Sequence, residues 1–79
     1  MKEARVEGCA SELRTLRTAV EAYKATENAR PETMQDLVDS DLLPGGTIES
    51  YRITGTYFAQ GVPEIELTAA GTDAGCPEP

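Results

Sequence analysis

The feature that most constrains the fold is a single apolar stripe near the amino end of the chain. Its residues recur at intervals of three and four, the spacing that places side chains on one face of an α-helix. Charged residues, Glu12 among them, fill the remaining positions and are expected to face water. We therefore expect one long helix at residues 2–27 to organise the chain through this stripe, which consists of Val6, Cys9, Leu13, Leu16, Val20 and Tyr23.

The segments after the long helix complete an α+β pattern. Thr33, with Asp36 three residues later, resembles a capping box and predicts a short second helix at residues 33–41. Beyond Gly46 the apolar period changes to two, which predicts antiparallel strands at about residues 50–57 and 64–69. A two-stranded sheet is marginally stable alone, so its apolar face is expected to lie on the long helix. We expect an irregular tail at residues 70–79 and a single domain over residues 1–79.

Two cysteines, Cys9 and Cys76, stand near opposite ends of the chain. A core of so few residues rarely supplies more than about 3–5 kcal/mol of net stability, so an added constraint is expected. A disulfide between the two cysteines would close nearly the whole chain, and the loop-entropy model assigns such a loop about 4 kcal/mol. The pairing would also indicate an oxidising compartment, such as the periplasm or the cell surface. The alternative is two free thiols in a cytosolic protein, and cysteine count alone leaves it open.

Charge is distributed unevenly along the chain. As far as Arg30, six basic residues stand against five acidic ones, whereas beyond it Arg52 alone opposes nine acidic residues. The net charge of -7 argues against phosphate backbones and anionic lipid surfaces, so nucleic-acid binding is not expected. No stretch approaches the roughly 18 apolar residues of a membrane span, and no apolar signal-peptide core is present. Together with an expected disulfide, this leads us to expect that the sequence starts after a segment that was removed.

No residue pattern indicates catalysis. The chain has no histidine, which excludes the familiar nucleophile–histidine arrangements. Nothing places two carboxylates in an apolar pocket, so we expect no enzymatic activity, no cofactor and no metal. Oxygen ligands suit calcium, but the local acidic cluster lacks the glycine and terminal glutamate of a calcium-binding loop. A solvated helix face is the better interpretation of that cluster, which comprises Glu32, Asp36, Asp39 and Asp41.

Two other patterns admit a binding role beside a structural one. The apolar stripe could be the seam of a coiled-coil dimer, which would make the chain a soluble interaction module dimerising through Val6 to Tyr23. The flanking alanines widen the stripe and favour packing against the chain's own sheet instead. The scattered aromatic residues favour core and sheet-face positions over a stacking platform for bases or sugars; they are Tyr23, Tyr51, Tyr57 and Phe58.

The end of the long helix reads Thr-Ala-Val-Glu-Ala-Tyr over residues 18–23, and Pro31 follows after a polar turn. Thr-Met-Gln-Asp-Leu-Val comes next over residues 33–38, then the pair Leu42 and Leu43, and then the predicted sheet. This order resembles the type IV pilins and the pseudopilins of type II secretion, from Cys9 to Leu43 in sequence and beyond it in architecture only. Many members of that family have asparagine, glycine and an aromatic residue before the proline, and often glycine where Asp41 stands here.

The resemblance implies a pilin-like head domain that lacks the apolar first half of the family's helix, either truncated or encoded separately. It implies a structural role as a subunit of a type IV pilus-like filament (fimbrium) or a type II secretion pseudopilus, secreted to the cell surface or periplasm. Other pilin or pseudopilin subunits and their assembly machinery would be its partners, and only the missing segment would contact a membrane. Contacts between subunits are expected from the stripe and from three cationic side chains, Arg5, Arg14 and Arg17.

Overall fold

The architecture is α+β, as the sequence predicts. The computed structural model describes residues 2–45 and 48–79, and for residues 2–7 it describes the helical backbone alone. A long helix is followed by a short helix, a two-stranded antiparallel sheet and a third short helix. The elements are α1 (Lys2–Glu27), α2 (Met34–Asp39), β1 (Tyr51–Tyr57), β2 (Pro63–Leu67) and α3 (Ala69–Ala74), with a single 3₁₀ turn at Ala59–Gly61 between the strands.

Helix α1 ends at a residue that tolerates a left-handed backbone. Asn28 has φ 54°, and its amide donates to the carbonyl of Lys24 at 3.1 Å. Asparagine adopts this conformation more readily than most residues do, and the proline after Arg30 disfavours a further helical turn. The chain therefore leaves the helix here, and Pro31 is buried where it turns back toward α2.

Helix α2 is held at its start by the predicted capping box. The Thr33 hydroxyl accepts a hydrogen bond from the Asp36 amide, and the Asp36 carboxylate accepts one from the Thr33 amide. The helix is shorter than the predicted 33–41, because Thr33 is its amino-terminal cap and Ser40 its carboxyl-terminal cap. Asp41 then takes a left-handed backbone with φ 61°.

The sheet pairs its strands around a bulge. Tyr51 lies opposite Leu67 and Ile53 opposite Ile65, and the register shifts before Tyr57 meets Pro63. Three residues of β1 then stand opposite one residue of β2, and Gly55 supplies the φ of 91° that the bulge contains. Side chains alternate between the faces of a strand, so one face of this hairpin meets α1 and the other faces away from it.

The expectation of an irregular tail at residues 70–79 is wrong in its first half. Ala69–Ala74 forms α3, and β2 ends at Leu67 rather than at residue 69. Thr68 caps the new helix by accepting a hydrogen bond from the Gly71 amide at 3.1 Å, and Gly75 ends it with a left-handed backbone. Both residues are ordinary helix-boundary signals, and they outweigh the small-residue composition that indicated a loop.

The core lies between α1, α2 and the inner face of the sheet. Leu16, Val20 and Leu37 are fully buried, and Tyr51 is 1% exposed. Other buried members of this core are Cys9, Ala19, Leu43, Ile53 and Cys76. Across residues 2–45 and 48–79, none of the helices combines the length and apolar character that crossing a bilayer requires.

Candidate interaction surfaces

The apolar stripe of α1 is covered by the rest of the same chain. Leu16 and Val20 are fully buried, Cys9 is 3% exposed, and Leu13 and Tyr23 pack against the core half-buried. The side chain of Val6 lies outside the described residues. A dimer seam between Cys9 and Tyr23 would require the very side chains that the sheet and α2 already cover, so the stripe offers no free surface there.

Glu12 faces the protein rather than water, contrary to the sequence-based expectation. Its carboxylate accepts hydrogen bonds from the Glu49 amide at 2.6 Å, the Ser50 amide at 3.3 Å and the Ser50 hydroxyl at 2.9 Å. The helical spacing contained the signal: Glu12 follows Cys9 by three residues and precedes Leu16 by four, which puts it beside the stripe. It fastens α1 to the segment that leads into β1.

The predicted disulfide between Cys9 and Cys76 is confirmed. It joins α1 to the carboxyl-terminal segment across 67 residues of sequence, with 5.6 Å between the two α-carbons. The Tyr51 hydroxyl donates to the Pro77 carbonyl at 2.7 Å beside this link. Burial raises the pKa of Tyr51, and the nearby Glu12 carboxylate raises it further while Arg17 lowers it. The Cys76 amide also donates to the Gly71 carbonyl at 3.0 Å, so a disulfide and two hydrogen bonds hold the described tail on the rest of the fold.

The turn of the hairpin is pinned to the end of α1. The Lys24 ammonium donates to the Gly61 carbonyl at 3.1 Å and pairs with Glu21 at 2.9 Å. The guanidinium of Arg30 lies 5.1 Å from the centre of the Tyr57 ring, a cation–π contact. The Tyr57 hydroxyl donates to the Pro31 carbonyl, and burial raises its pKa although Arg30 opposes that shift. These contacts fix the turn relative to the helix.

The hairpin carries two large apolar side chains that are exposed. Phe58 is 55% exposed and Val62 is 52% exposed, and the Phe58 amide donates to the Val62 carbonyl at 2.7 Å. Both residues have extended backbones and lie one residue outside the strands, next to the paired Tyr57 and Pro63, so continued alternation places them on the face turned away from α1. We expected Phe58 on the core or a sheet face. Val62 was not among the predicted surface residues, although its alternation with Glu64 and Glu66 indicates the same face.

The same outward face of the hairpin is rich in carboxylates. Arg52 pairs with Glu66 at 2.5 Å, and the Thr54 hydroxyl donates to Glu64 at 2.7 Å. A groove of about 610 Å³ opens between these strand residues and the segment before α2, where Glu32 contributes a further carboxylate. We call this surface, made of Phe58, Val62, Glu64, Glu66 and Glu32, the outer face.

The arginines expected to contact other subunits lie on the solvent side of α1. Arg14 and Arg17 are exposed, and neither forms an ion pair within the described part of the chain. Arg14 borders a shallow groove of about 270 Å³ with Thr15, Thr18 and Leu42. The side chain of Arg5 lies outside the described residues. Two cations are thus available to a partner on this side of the helix.

Two of the acidic residues around α2, Asp36 and Asp39, accept hydrogen bonds from nearby groups. Asp36 accepts hydrogen bonds from the amides of Glu32 and Thr33, and Asp39 accepts one from the Gln35 side chain at 2.7 Å. Within residues 2–45 and 48–79, no three histidine, cysteine, aspartate or glutamate side chains are grouped so that they could hold a metal ion. The capping of α2 accounts for Asp36.

Comparison of the chain with protein-family models, with curated proteins and with solved structures returns no match. The interpretation of these surfaces therefore depends on their own geometry and on the sequence resemblance described above.

Proposed function

We propose that the chain is a structural subunit of a filament of the type IV pilin and pseudopilin kind. The observation that carries the proposal is the arrangement of α1, a helix of 26 residues whose described side chains, from Gly8 onward, pack on the sheet and α2 along one side. The side turned to solvent carries Arg14 and Arg17, and neither forms an ion pair with the side chains that the structure describes. A long helix with one side covered by its own head and the other side open suits a subunit that packs against further subunits.

Backbone conformation at two turns supports the proposal. Asp41, at a position where the resembled family often has glycine, has φ 61°, a conformation that glycine adopts without steric cost. Asn28 has φ 54° at the turn where that family keeps its asparagine. The two turns thus have the shapes that the family's residues favour, although aspartate stands at position 41, where glycine is frequent in the family.

Arg14 and Arg17 are the contacts by which one head would meet the next. The chain beyond Arg30 carries nine acidic residues against one basic residue, so an adjacent head offers mainly carboxylates. Exposed ion pairs each contribute about 0.2–1 kcal/mol and are screened by salt. Assembly would therefore depend on several such pairs and weaken as ionic strength rises.

The proposal is tested by substituting Arg14→Glu and Arg17→Glu together in cells that produce the protein. We expect filaments labelled by an antiserum against this chain to be lost in the charge-reversed variant, because like charges would face each other between heads. The matched control is Arg14→Lys with Arg17→Lys, which keeps both charges and should assemble. Electron microscopy with immunogold labelling measures the outcome.

Circular dichroism of the purified variants separates assembly from folding. Both side chains are exposed, so the charge-reversed chain should unfold at nearly the same urea concentration as the parent. Normal labelled filaments in the charge-reversed variant, or no labelled filament in the parent, would overturn the proposal.

A further inference from the structure

We propose that the outer face is a docking surface for an extended polypeptide segment that carries one apolar and two cationic side chains at alternate positions. The proposal concerns the face of the hairpin turned away from α1 and is independent of filament assembly. It rests on the exposed pair Phe58 and Val62, on the carboxylates that continue from that pair along β2, and on the groove beside them.

The apolar end of the outer face is exposed and held in place. Phe58 and Val62 are both more than half exposed, although burying such side chains stabilises a protein by about 1.5–3 kcal/mol each. Their positions are fixed from beneath by the contacts of Lys24 with Gly61 and of Arg30 with Tyr57. A rigid exposed apolar pair can be covered by a partner with little loss of loop entropy, which is the property of an interface anchor.

The carboxylates of the outer face favour a positively charged segment as the occupant. Glu64 and Glu66 alternate with the inward-facing residues of β2 and so share the outward face with Val62. At about 3.3 Å per residue, they stand roughly 7 and 13 Å from Val62 along the strand. Glu32 faces them across the groove of about 610 Å³. Arg52 neutralises Glu66 in part, and Glu64 and Glu32 have no cationic partner within 4.0 Å in the described part of the chain.

These spacings fit a segment in extended conformation. Its alternate side chains fall about 7 Å apart, so an apolar residue against Phe58 and Val62 would place cations two and four residues away over Glu64 and Glu66. A second copy of this chain is a poorer occupant, because its strands lie beyond Arg30, where one basic residue stands against nine acidic ones, and its Arg14 and Arg17 lie on a helix. Charge complementarity therefore selects a basic, partly apolar partner protein.

The test uses a synthetic probe, the capped pentapeptide Leu-Thr-Lys-Thr-Lys, titrated into the isotopically labelled chain and followed by amide chemical shifts. We expect saturable shifts confined to the outer face, with a dissociation constant on the order of 1 mM, as suits a small surface. Raising the salt concentration from about 20 mM to about 500 mM should weaken binding severalfold, because exposed ion pairs are screened. The same peptide with glutamate in place of lysine is the probe control.

Variants assign the two parts of the surface. Phe58→Ser with Val62→Ser should weaken binding about tenfold, and Glu32→Gln with Glu64→Gln about fivefold, because each pair removes one half of the complementarity. Asp73→Asn, an exposed carboxylate on α3, is the matched control and should bind as the parent does. The substituted side chains lie at the surface, and among them Glu64 accepts a hydrogen bond from Thr54. The amide spectrum of each variant checks that its fold is retained.

Three results would overturn the proposal. One is the absence of saturable shifts at the highest soluble peptide concentration, and another is equal binding of the glutamate peptide. The third is a concentration-dependent shift of the same residues without peptide, which would assign the outer face to a second copy. Because the readout uses the isolated chain, none of these results bears on filament formation.

Discussion

Gly71 is the residue whose lack of a side chain most directly permits the fold. It lies in α3 against the backbone of residue 50, and a Cβ built on it would overlap the Ser50 carbonyl oxygen and lie 3.0 Å from a methyl group of Leu67. Neither the strand nor the helix can retreat easily, since the Thr68 amide donates to that same Ser50 carbonyl at 3.0 Å. Glycine at this position lets α3 dock on the start of β1.

Gly71→Ala should therefore lower the free energy of unfolding by about 1–3 kcal/mol, the usual cost of overpacking. Urea denaturation followed by circular dichroism measures the change. Gly8→Ala is the matched control, because nothing lies within 4 Å of a Cβ there and alanine is favoured in helices. That variant should gain about 0.5–1 kcal/mol. Equal stability of the alanine variant at position 71 and the parent would mean that α3 does not pack against Ser50.

Glu12 shows where prediction from single residues stops. We expected Glu12 to contact water because of its charge, although its position beside the stripe favours a partly covered site. The partner decided between the two, because the amides of Glu49 and Ser50 need an acceptor where the chain enters β1. Glu49 and Ser50 lie 37 and 38 residues from Glu12 in sequence, so no local pattern could identify them as its partners.

At the scale of elements, local sequence signals predicted the helices and strands that local interactions stabilise. The three-and-four spacing predicted α1, the Thr33 capping box predicted α2, and the period of two predicted both strands. The missed helix α3 also had local signals, in Thr68 and Gly75, but its alanines and glycine indicated a loop by composition. The outer face and the docking of Gly71 depend on how separate elements meet, which the sequence pattern does not specify.

The disulfide is the connection between elements that we expect to contribute most to stability, because it closes nearly the whole chain. Replacing both cysteines, Cys9→Ser with Cys76→Ser, should lower the free energy of unfolding by about 2–5 kcal/mol, because the unfolded chain regains the freedom of a 67-residue separation. The urea midpoint of the variant measures this loss, with chemically reduced parent as the control that should show the same shift. Amide exchange near Pro77 should also accelerate, since only two hydrogen bonds would then hold the described tail, from the Tyr51 hydroxyl to Pro77 and from the amide of residue 76 to Gly71.

An unchanged urea midpoint would contradict this expectation. It would mean that the unfolded chain is already restricted, or that the tail contributes nothing to the packing of α1. The loop-entropy estimate of about 4 kcal/mol is comparable with the whole net stability expected of so small a core, so a large effect is the physical expectation.

At the scale of the whole molecule, the balance of charge and buried tyrosine sets the response to alkaline pH. The chain already carries a net charge of -7 at pH 7, so each further ionisation adds to self-repulsion. Burial raises the pKa of both Tyr51 and Tyr57 in the folded protein. An unfolded tyrosine ionises near pH 10, so above that pH the folded state retains protons that the unfolded state has lost.

The sign of the effect follows from this difference in bound protons. A folded pKa above the unfolded one contributes stability that is fully present below about pH 10 and is lost as the pH rises through the folded value. We expect the urea midpoint to be level between about pH 7 and pH 9 and to fall above pH 10. The absorbance of tyrosinate should rise at a higher pH in the native chain than in the chain unfolded in urea. Tyr57→Phe, which also loses the hydrogen bond to Pro31, should start from a lower midpoint and fall less steeply. A urea midpoint that stays level above pH 10 would contradict this expectation. It would show that the Tyr51 and Tyr57 hydroxyls have the same pKa in the folded and unfolded states, and therefore that the core packing does not shield them from solvent.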